Sequence, residues 1–365
     1  MIDLFLAPGR YIQERGMLRR AGEFISPLGK KPLILSDKLV WSKVRNILLD
    51  SLKKANLRSR FEEFKGECCT EEIERVMALI KKKEIDVIVG CGGGKALDTA
   101  KAASFYLNLP VITAPTSAAT CSAWSSIAPL YTKEGVYLES LNLQKSPNLA
   151  LVDPQIIAQA PARLLSAGMG DALAKWCEGR VSTQGIKKGL FTKVALDLSK
   201  KSYHLIKSIG VKVKRDVEKK KCSSELDQII QINILLTGLI GALGKGRCRS
   251  SAAHAFNYGM SIFKETRTSL HGEKVAFGII MMLILDKRDE EEIDELLRFY
   301  SSLDLPLTLE RLGLIENEKT LGRLAKEMCK KESHIHRLPF SVNEEMVYEA
   351  LSKASARGKK VEEEN

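Results

Sequence analysis

The sequence predicts an α/β N-terminal domain built on a parallel sheet, followed by an all-α C-terminal domain. Two observations carry this expectation. Up to about residue 150, short β-branched runs alternate with amphipathic helical patterns, the signature of strands joined by crossover helices. From about Ala160 onward long helical patterns dominate and no further convincing strand follows. At 365 residues the chain suits two domains, on a prior of about 150 residues each. The boundary is expected at 159/160, with 1–159 binding a dinucleotide and 160–365 carrying a metal.

In chain order, "KPLILSD" is a strand, and Val40, Val44, Ile47, Leu48 and Leu52 then recur at helical spacing. "CTEEIERVMALIKKK" is a helix with Thr70 as its expected N-cap, Glu71 and Glu72 at its positive end and lysines in its last turn. "IDVIVG", "LPVITAPT" and "NLALVDP" are short apolar strands bounded by Gly or Pro, as buried parallel strands are. "APLYTKEGVYLES" reads as a hairpin turning at Lys133-Glu134-Gly135. The helices of the second domain are "ARLLSAGMGDALAKWCEGRV", "ELDQIIQINILLTGLIGALG", "EKVAFGIIMMLILDK" and "EEEIDELLRFYSSL". The final "SARGKKVEEEN" is polar and expected to fray.

Composition narrows the class. An apolar share of 44% with 28% charged residues is that of a soluble globular protein. The formal charge of +12 sits partly in runs such as "KKKEID", which read as solvated helix faces. With 6% aromatic residues and no nucleic-acid-binding motif, nucleic acid is not an expected partner. The apolar run Val275–Leu285 falls far short of the roughly 18 residues of a membrane span, so no membrane is expected either. Asp3 interrupts the short apolar start, and none of the eight cysteines forms a C-x-x-C pair. Reduced thiols in the cytoplasm are the simplest expectation.

The chemistry centres on "GCGGGKALDTAK" (90–101), where a strand pattern runs into a helix. The G-x-G-x-x-G fingerprint fails because its third glycine position holds Lys95. The G-x-x-x-x-G-K-[ST] pattern fails because Val89 and Ala96 stand at its first and last positions. The physics both share survives. Glycines let backbone N–H groups close on an anion, and the following helix points its positive end there. The loop reads as a diphosphate site; the same glycines also suit a ligand-free strand-to-helix turn. The histidines His254, in "SSAAHAFNYG", and His271, in "SLHGEKVAFG", fit no local zinc spacing. Taken alone, each reads as a structural residue. Asp171 is an acid in an otherwise apolar helix and needs a partner.

"GCGGGKALDTAK", followed by "APTSAAT" and then "GMGDALAKW", resembles the iron-containing, or group III, alcohol dehydrogenase family. Within it the chain is most similar to the glycerol dehydrogenase branch and its hydroxycarboxylate dehydrogenase relatives. The similarity runs from "APGRYIQ" through "AAHA" and "LHGEKVAFG" to "HIHRLP".

The resemblance implies a dehydroquinate-synthase-like fold, NAD as cofactor and a small-molecule substrate, with further copies of the chain as expected partners. It puts the pyrophosphate on Gly93, Gly94 and Lys95 with Asp98 nearby. Thr116, Ser117, Ser125, Ile127 and Tyr131 would line the cofactor cleft. Asp37 falls where a carboxylate would accept from the adenine ribose and repel a 2′-phosphate; it is also placed to cap a helix.

Asp171, His254 and His271 match the branch's metal ligands, three groups with a position left open, as catalytic zinc requires. The iron enzymes add a histidine one turn after the aspartate; here that position is Lys175, so zinc is expected over other divalent ions. The implied chemistry is hydride transfer between a small alcohol or hydroxy compound and nicotinamide, with the metal as Lewis acid. The substrate is a polyol or hydroxyketone, or a 2-hydroxy or 2-oxo acid. The branch has an aspartate that touches polyol hydroxyls where this chain has Cys121, and a thiol cannot hold a hydroxyl as a carboxylate does. Cys121 is thus a candidate substrate-side residue. The alternative is a dehydroquinate-synthase-like lyase and cyclase, which shares the architecture, NAD and zinc but needs several basic groups near the metal. His204, His334 and the Cys68–Cys69 pair read as ordinary residues.

Overall fold

The computed structural model of the protein describes residues 5–364, so the N-terminal start with Asp3 lies outside the described residues. The chain forms two compact units. One runs to Pro161 and takes in Lys220–Ile230; the other comprises Ala162–Lys219 and the chain from Gln231 on.

The first unit contains β1 (Tyr11–Gln13), α1 (Ala21–Ile25), β2 (Pro32–Ser36), α2 (Lys38–Lys54), β3 (Arg60–Glu63), α3 (Thr70–Lys83), β4 (Val87–Gly92), α4 (Gly94–Leu107) and β5 (Val111–Pro115). These are followed by β6 (Ile127–Tyr131), β7 (Tyr137–Asn142), β8 (Leu149–Val152) and α5 (Pro154–Ala158). Six strands pair in parallel in the order β1-β8-β5-β4-β2-β3. Alternation along the strands divides the core. Ile34, Val87, Val89 and Ile112 pack against α1 and α2 on one face. Leu33, Leu35, Ile88 and Val111 pack against α3 and α4 on the other. With α2 and α4 on opposite faces, strand order reverses between β2 and β4, and the crevice at their carboxyl ends is where such sheets bind ligands. β6 and β7 form the expected hairpin, turning at Gly135 with φ 78°.

The expected strands and helices of this unit are present, with one shift at a helix end. Thr70 is the first residue of α3, and Cys69 takes the cap position in extended conformation without a side-chain cap. The first helical bond, Ile73 N to Cys69 O, fixes that boundary. β1 and β3 were not legible in the sequence. Each is an edge strand, one only three residues long and the other reading "RFEE", too polar and short to carry a buried-strand pattern.

The second unit has helices and no strand among its described residues. It holds α6 (Ala162–Ser182) and α7 (Leu190–Glu218); α8 (Ser224–Ile230) returns to the first unit. Six π-helical residues, Gln231–Leu236, lead into α9 (Thr237–Leu243) and α10 (Lys245–Arg249). Then come α11 (Ala252–Met260), α12 (His271–Leu285), α13 (Glu290–Ser302), α14 (Glu318–Met328) and α15 (Glu344–Glu363). The helical stretch Ser224–Leu243 is long and apolar enough to span a membrane by composition, and 56% of it is buried inside the protein.

As far as Glu363 the C-terminal segment is helical rather than frayed. It is the last part of α15, because Val347, Leu351, Ala354, Gly358 and Val361 make a buried stripe and Arg357 pairs with Asp294 at 3.0 Å. Alanine, glycine and one valine carry the end of that stripe, which hid it among the charges.

α12 is the hub: α6, α11 and α15 all pack on it. Two contacts are backbone to backbone. A Cβ at Gly272 would come within 1.7 Å of the Ala167 carbonyl oxygen of α6, and one at Gly278 within 2.6 Å of the Ala253 carbonyl of α11. Each glycine contact lies beside a residue of interest: Gly272 follows His271, and Ala253 precedes His254. Gly278→Ala is expected to cost about 1–3 kcal/mol through overpacking, read as a lowered denaturant midpoint; an unchanged midpoint would show that the seam relaxes freely.

Candidate active site

At the carboxyl end of β4 the chain turns through Gly92, at φ 151°, into α4, whose cap residue Gly93 offers no side-chain cap. The first-turn N–H groups of a fourteen-residue helix therefore point out of the sheet without a side chain to satisfy them, and no acid stands in that turn. A Cβ at Gly93 would meet nothing within 4 Å, so the backbone there lies open. These features fit a bound pyrophosphate.

Of the residues expected around it, several converge. Asp37, at the end of β2, caps α2 by accepting from Val40 N at 2.9 Å. Its other oxygen lies 3.7 Å from where a Gly92 Cβ would be, so one carboxylate both caps and faces the glycine turn. Thr116 N donates to Gly92 O at 3.1 Å, which seats the half-buried Thr116 and Ser117 beside the loop. Lys95 pairs with Glu67 at 2.6 Å and stands 5.3 Å over the Tyr131 ring.

Asp98 is buried and engaged: Ser122 Oγ donates to it at 2.6 Å and Lys101 pairs with it at 2.8 Å. The buried Lys101 ammonium also donates to the carbonyls of Ser122, Ser125 and Ile127. Asp98 thus acts by holding the 122–127 segment, which carries Ser125 and Ile127, through a lysine that the sequence reading left out. Cys121 is half-buried, and its carbonyl accepts from Trp124 N and Ser125 N.

In the second unit, Asp171, His254 and His271 come together from three helices, with one ligand atom of each within 4.8 Å of the others. Asp171 projects from α6, His254 from the first turn of α11 and His271 from the first residue of α12. Arg163, at the start of α6, donates to Glu273 at 2.7 Å and to the Thr268 carbonyl at 3.0 Å. Glu273 in turn accepts from Leu270 N, closing the N-terminus of α12 at His271.

The electrostatics suit a cation. Burial alone would raise Asp171, yet the Lys175 ammonium and the two neighbouring imidazoles hold it well below the carboxylate range. Desolvation pushes His271 below its ordinary value, against the pull of Asp171. A carboxylate and two imidazoles at this separation could hold a divalent metal ion.

Glu178 was missed by the sequence reading. Fully buried, it accepts from His254 Nδ1 at 2.7 Å, Ser251 N at 2.7 Å and His254 N at 3.1 Å. It therefore caps α11 and turns the Nε2 of His254 toward Asp171, 3.3 Å away. Such carboxylate–imidazole pairs set the orientation of metal-binding histidines. A signal did exist: Asp171, Lys175 and Glu178 stand at i, i+4 and i+7 on an apolar helix, all facing one way. His334, read from the sequence as an ordinary residue, lies near this group. Its Nδ1 lies 3.0 Å from Ser250 Oγ, and its ring meets Tyr258, whose ring lies 6.5 Å from that of His254.

The first unit thus offers an anion-ready glycine turn, and the second a carboxylate and two imidazoles that could hold a metal ion, features that metal- and dinucleotide-dependent enzymes use. Comparison with known proteins agrees. The profile described as "Iron-containing alcohol dehydrogenase" matches residues 8–154. The chain is 37% identical to glycerol dehydrogenase of Pseudomonas putida, over 96% of this chain and 97% of that one. It is 30% identical to hydroxycarboxylate dehydrogenase A of Escherichia coli (strain K12), over 80% of this chain and 81% of that one. The crystal structure of a probable glycerol dehydrogenase from Sinorhizobium meliloti 1021 superposes with a TM-score of 0.89 at 34% identity, covering 98% of this chain and all of that one. The chain belongs to the iron-containing alcohol dehydrogenase family, in the branch that includes the glycerol dehydrogenases. It is an NAD-dependent oxidoreductase acting on CH–OH groups, and the lyase alternative is not favoured.

Two outcomes follow from this geometry. Glu178→Gln, which keeps the shape but removes the charge behind His254, is expected to weaken divalent-ion affinity about 10–100-fold in chelator-competition titrations. His334 is held at about 4 by burial and by neighbouring cations, below its ordinary 6.5. The unfolded chain then binds the proton first as pH falls, so this group costs stability progressively between pH 6.5 and 4. The drop in denaturant midpoint from pH 7 to pH 5 should be smaller in His334→Asn than in the native chain.

Proposed function

We propose that the protein is an NAD(H)-dependent, zinc-dependent dehydrogenase of a small hydroxy compound, a polyol or hydroxyketone or a 2-hydroxy or 2-oxo acid. The observation that carries this reading is the meeting of Asp171, His254 and His271, with His254 oriented by Glu178.

Bound NAD supplies the hydride acceptor, and a bound divalent ion supplies a Lewis acid toward the alcohol or carbonyl oxygen. The chain does the rest. Asp171 and the two imidazoles hold the ion. Gly93 and Gly94 offer backbone N–H groups, with the positive end of α4, to the pyrophosphate. Asp37 accepts from the adenine ribose and disfavours a 2′-phosphate, hence NAD over NADP. Thr116, Ser117, Ser125, Ile127 and Tyr131 line the cofactor cleft, Lys95 and Asp98 serve the loop, and Cys121 faces the substrate.

Zinc is preferred to iron because Lys175 stands one turn after Asp171, where the iron-type set would need a fourth ligand. The names of the relatives, glycerol dehydrogenase and hydroxycarboxylate dehydrogenase A, support both substrate classes. The protein is taken to act in the cytoplasm as a homo-oligomer.

NADH oxidation over dihydroxyacetone, 2-oxobutyrate and 2-oxoglutarate, and NAD reduction with glycerol, test the reading with and without chelator. Turnover on at least one compound is expected, lost on chelation, restored by zinc and absent in His271→Ala. Turnover that survives both chelation and this substitution would refute the metal role.

A further inference from the structure

We propose that Lys101 is a positioning residue for the dinucleotide: it fixes the 122–127 segment against the first turn of α4 and cancels the charge of Asp98 behind the pyrophosphate site. The inference rests on the dinucleotide reading above and adds to it a residue that acts only through others.

Lys101 is 1% exposed, an unusual depth for an ammonium. Its Nζ meets Asp98 Oδ1 at 2.8 Å and donates to the carbonyls of Ser122, Ile127 and Ser125 at 2.8, 2.7 and 3.1 Å. The chain between β5 and the start of β6 forms neither helix nor strand. With no ladder to hold it, this backbone takes its place from the partners its polar groups find. Three carbonyls turned toward one buried point require a donor there, and a neutral apolar side chain would leave them unsatisfied.

The same stretch lies directly on the glycine turn. Ser122 Oγ donates to Asp98 Oδ1 at 2.6 Å and lies 3.2 Å from the Gly94 carbonyl oxygen. A Cβ at Gly94 would come within 3.2 Å of Thr120 Oγ1 and 3.6 Å of Ser122 Cβ. Gly94 is the first residue of α4, so the amides offered to a pyrophosphate are the ones this segment packs against. Any shift of residues 120–122 therefore reshapes the anion site itself, and Lys101 is what holds Ser122 in place from behind.

Charge gives the lysine a second task. Asp98 is buried one turn behind the first residue of α4, where a lone carboxylate would repel a pyrophosphate through the low-dielectric interior. Lys101, three residues further along the helix, neutralises it. Lys95, the other cation of the turn, is matched by Glu67 at 2.6 Å. With each lysine balanced by an acid, the attraction for an anion comes from the free helix end, and the Asp98–Lys101 pair leaves it undiminished.

The test measures NADH affinity by fluorescence titration in the native chain, Lys101→Met, Asp98→Asn and the double variant, each where circular dichroism shows it folded. K101M is expected to weaken NADH binding about 10-fold or more. D98N, which keeps an acceptor for Ser122 but removes the opposing charge, is expected to bind NADH at least as tightly as the native chain. D98N added to K101M should recover about threefold or more of the loss, since the repulsion is gone and only the positioning is missing. A K101M affinity within about twofold of native, with only the melting temperature lowered, would mark a purely structural lysine and overturn the proposal, leaving the dinucleotide reading intact. A double variant that binds no better than K101M would overturn it too. K101Q replaces K101M should the latter fail to fold; if neither folds, D98N decides, and NADH binding weaker than native sinks the proposal. A native chain that binds no NADH ends both the proposal and the dinucleotide reading.

Discussion

A carboxylate buried in an apolar helix must be matched by positive charge, and in this protein that requirement falls on Asp171. It lies in the middle of α6 among small and apolar residues, and it stays ionised because of what surrounds it: an ammonium and two imidazoles. Each compensating group comes with structural conditions. His254 needs the N-terminus of α11 and Glu178 behind it; His271 needs the start of α12 and the Arg163–Glu273 pair. The glycine contacts at Gly272 and Gly278 bring α12 close enough to its neighbours for those side chains to meet. Packing and charge compensation are one problem in the helical unit.

The sheet unit solves a separate problem with the same economy of parts. An uncapped helix N-terminus leaves donors unsatisfied, and the chain places that end at the reversal of strand order, where β2 and β4 diverge. Asp37 shows how a single residue serves two needs, since capping α2 uses one oxygen and leaves the other facing the glycine turn. Asp98 and Lys101 form a buried pair that secures the segment after β5. Residues expected to contact a cofactor therefore divide into those that face the crevice and those that hold the segment in place.

What was legible in the sequence follows from how strongly each element is patterned. Central strands such as "VIVGCG" and long helices such as α12 are buried on all sides and read directly. Edge strands β1 and β3 lacked that pattern, and the end of α15 hid a stripe of small residues among lysines and glutamates. The candidate ligands were found through a family resemblance, because residues 171, 254 and 271 have no local spacing in common. Glu178 escaped notice because its meaning is relational: it stands behind a histidine 76 positions away.

The sequence by itself determined the class of each unit, the position of the glycine turn and the residue types available for chemistry, since periodicity and local backbone demands act over a few neighbouring residues. Only the tertiary structure decided which of those residues share a site. Helix packing brings together groups some eighty to a hundred positions apart, and the low dielectric of the interior then makes every charge among them answer to the others.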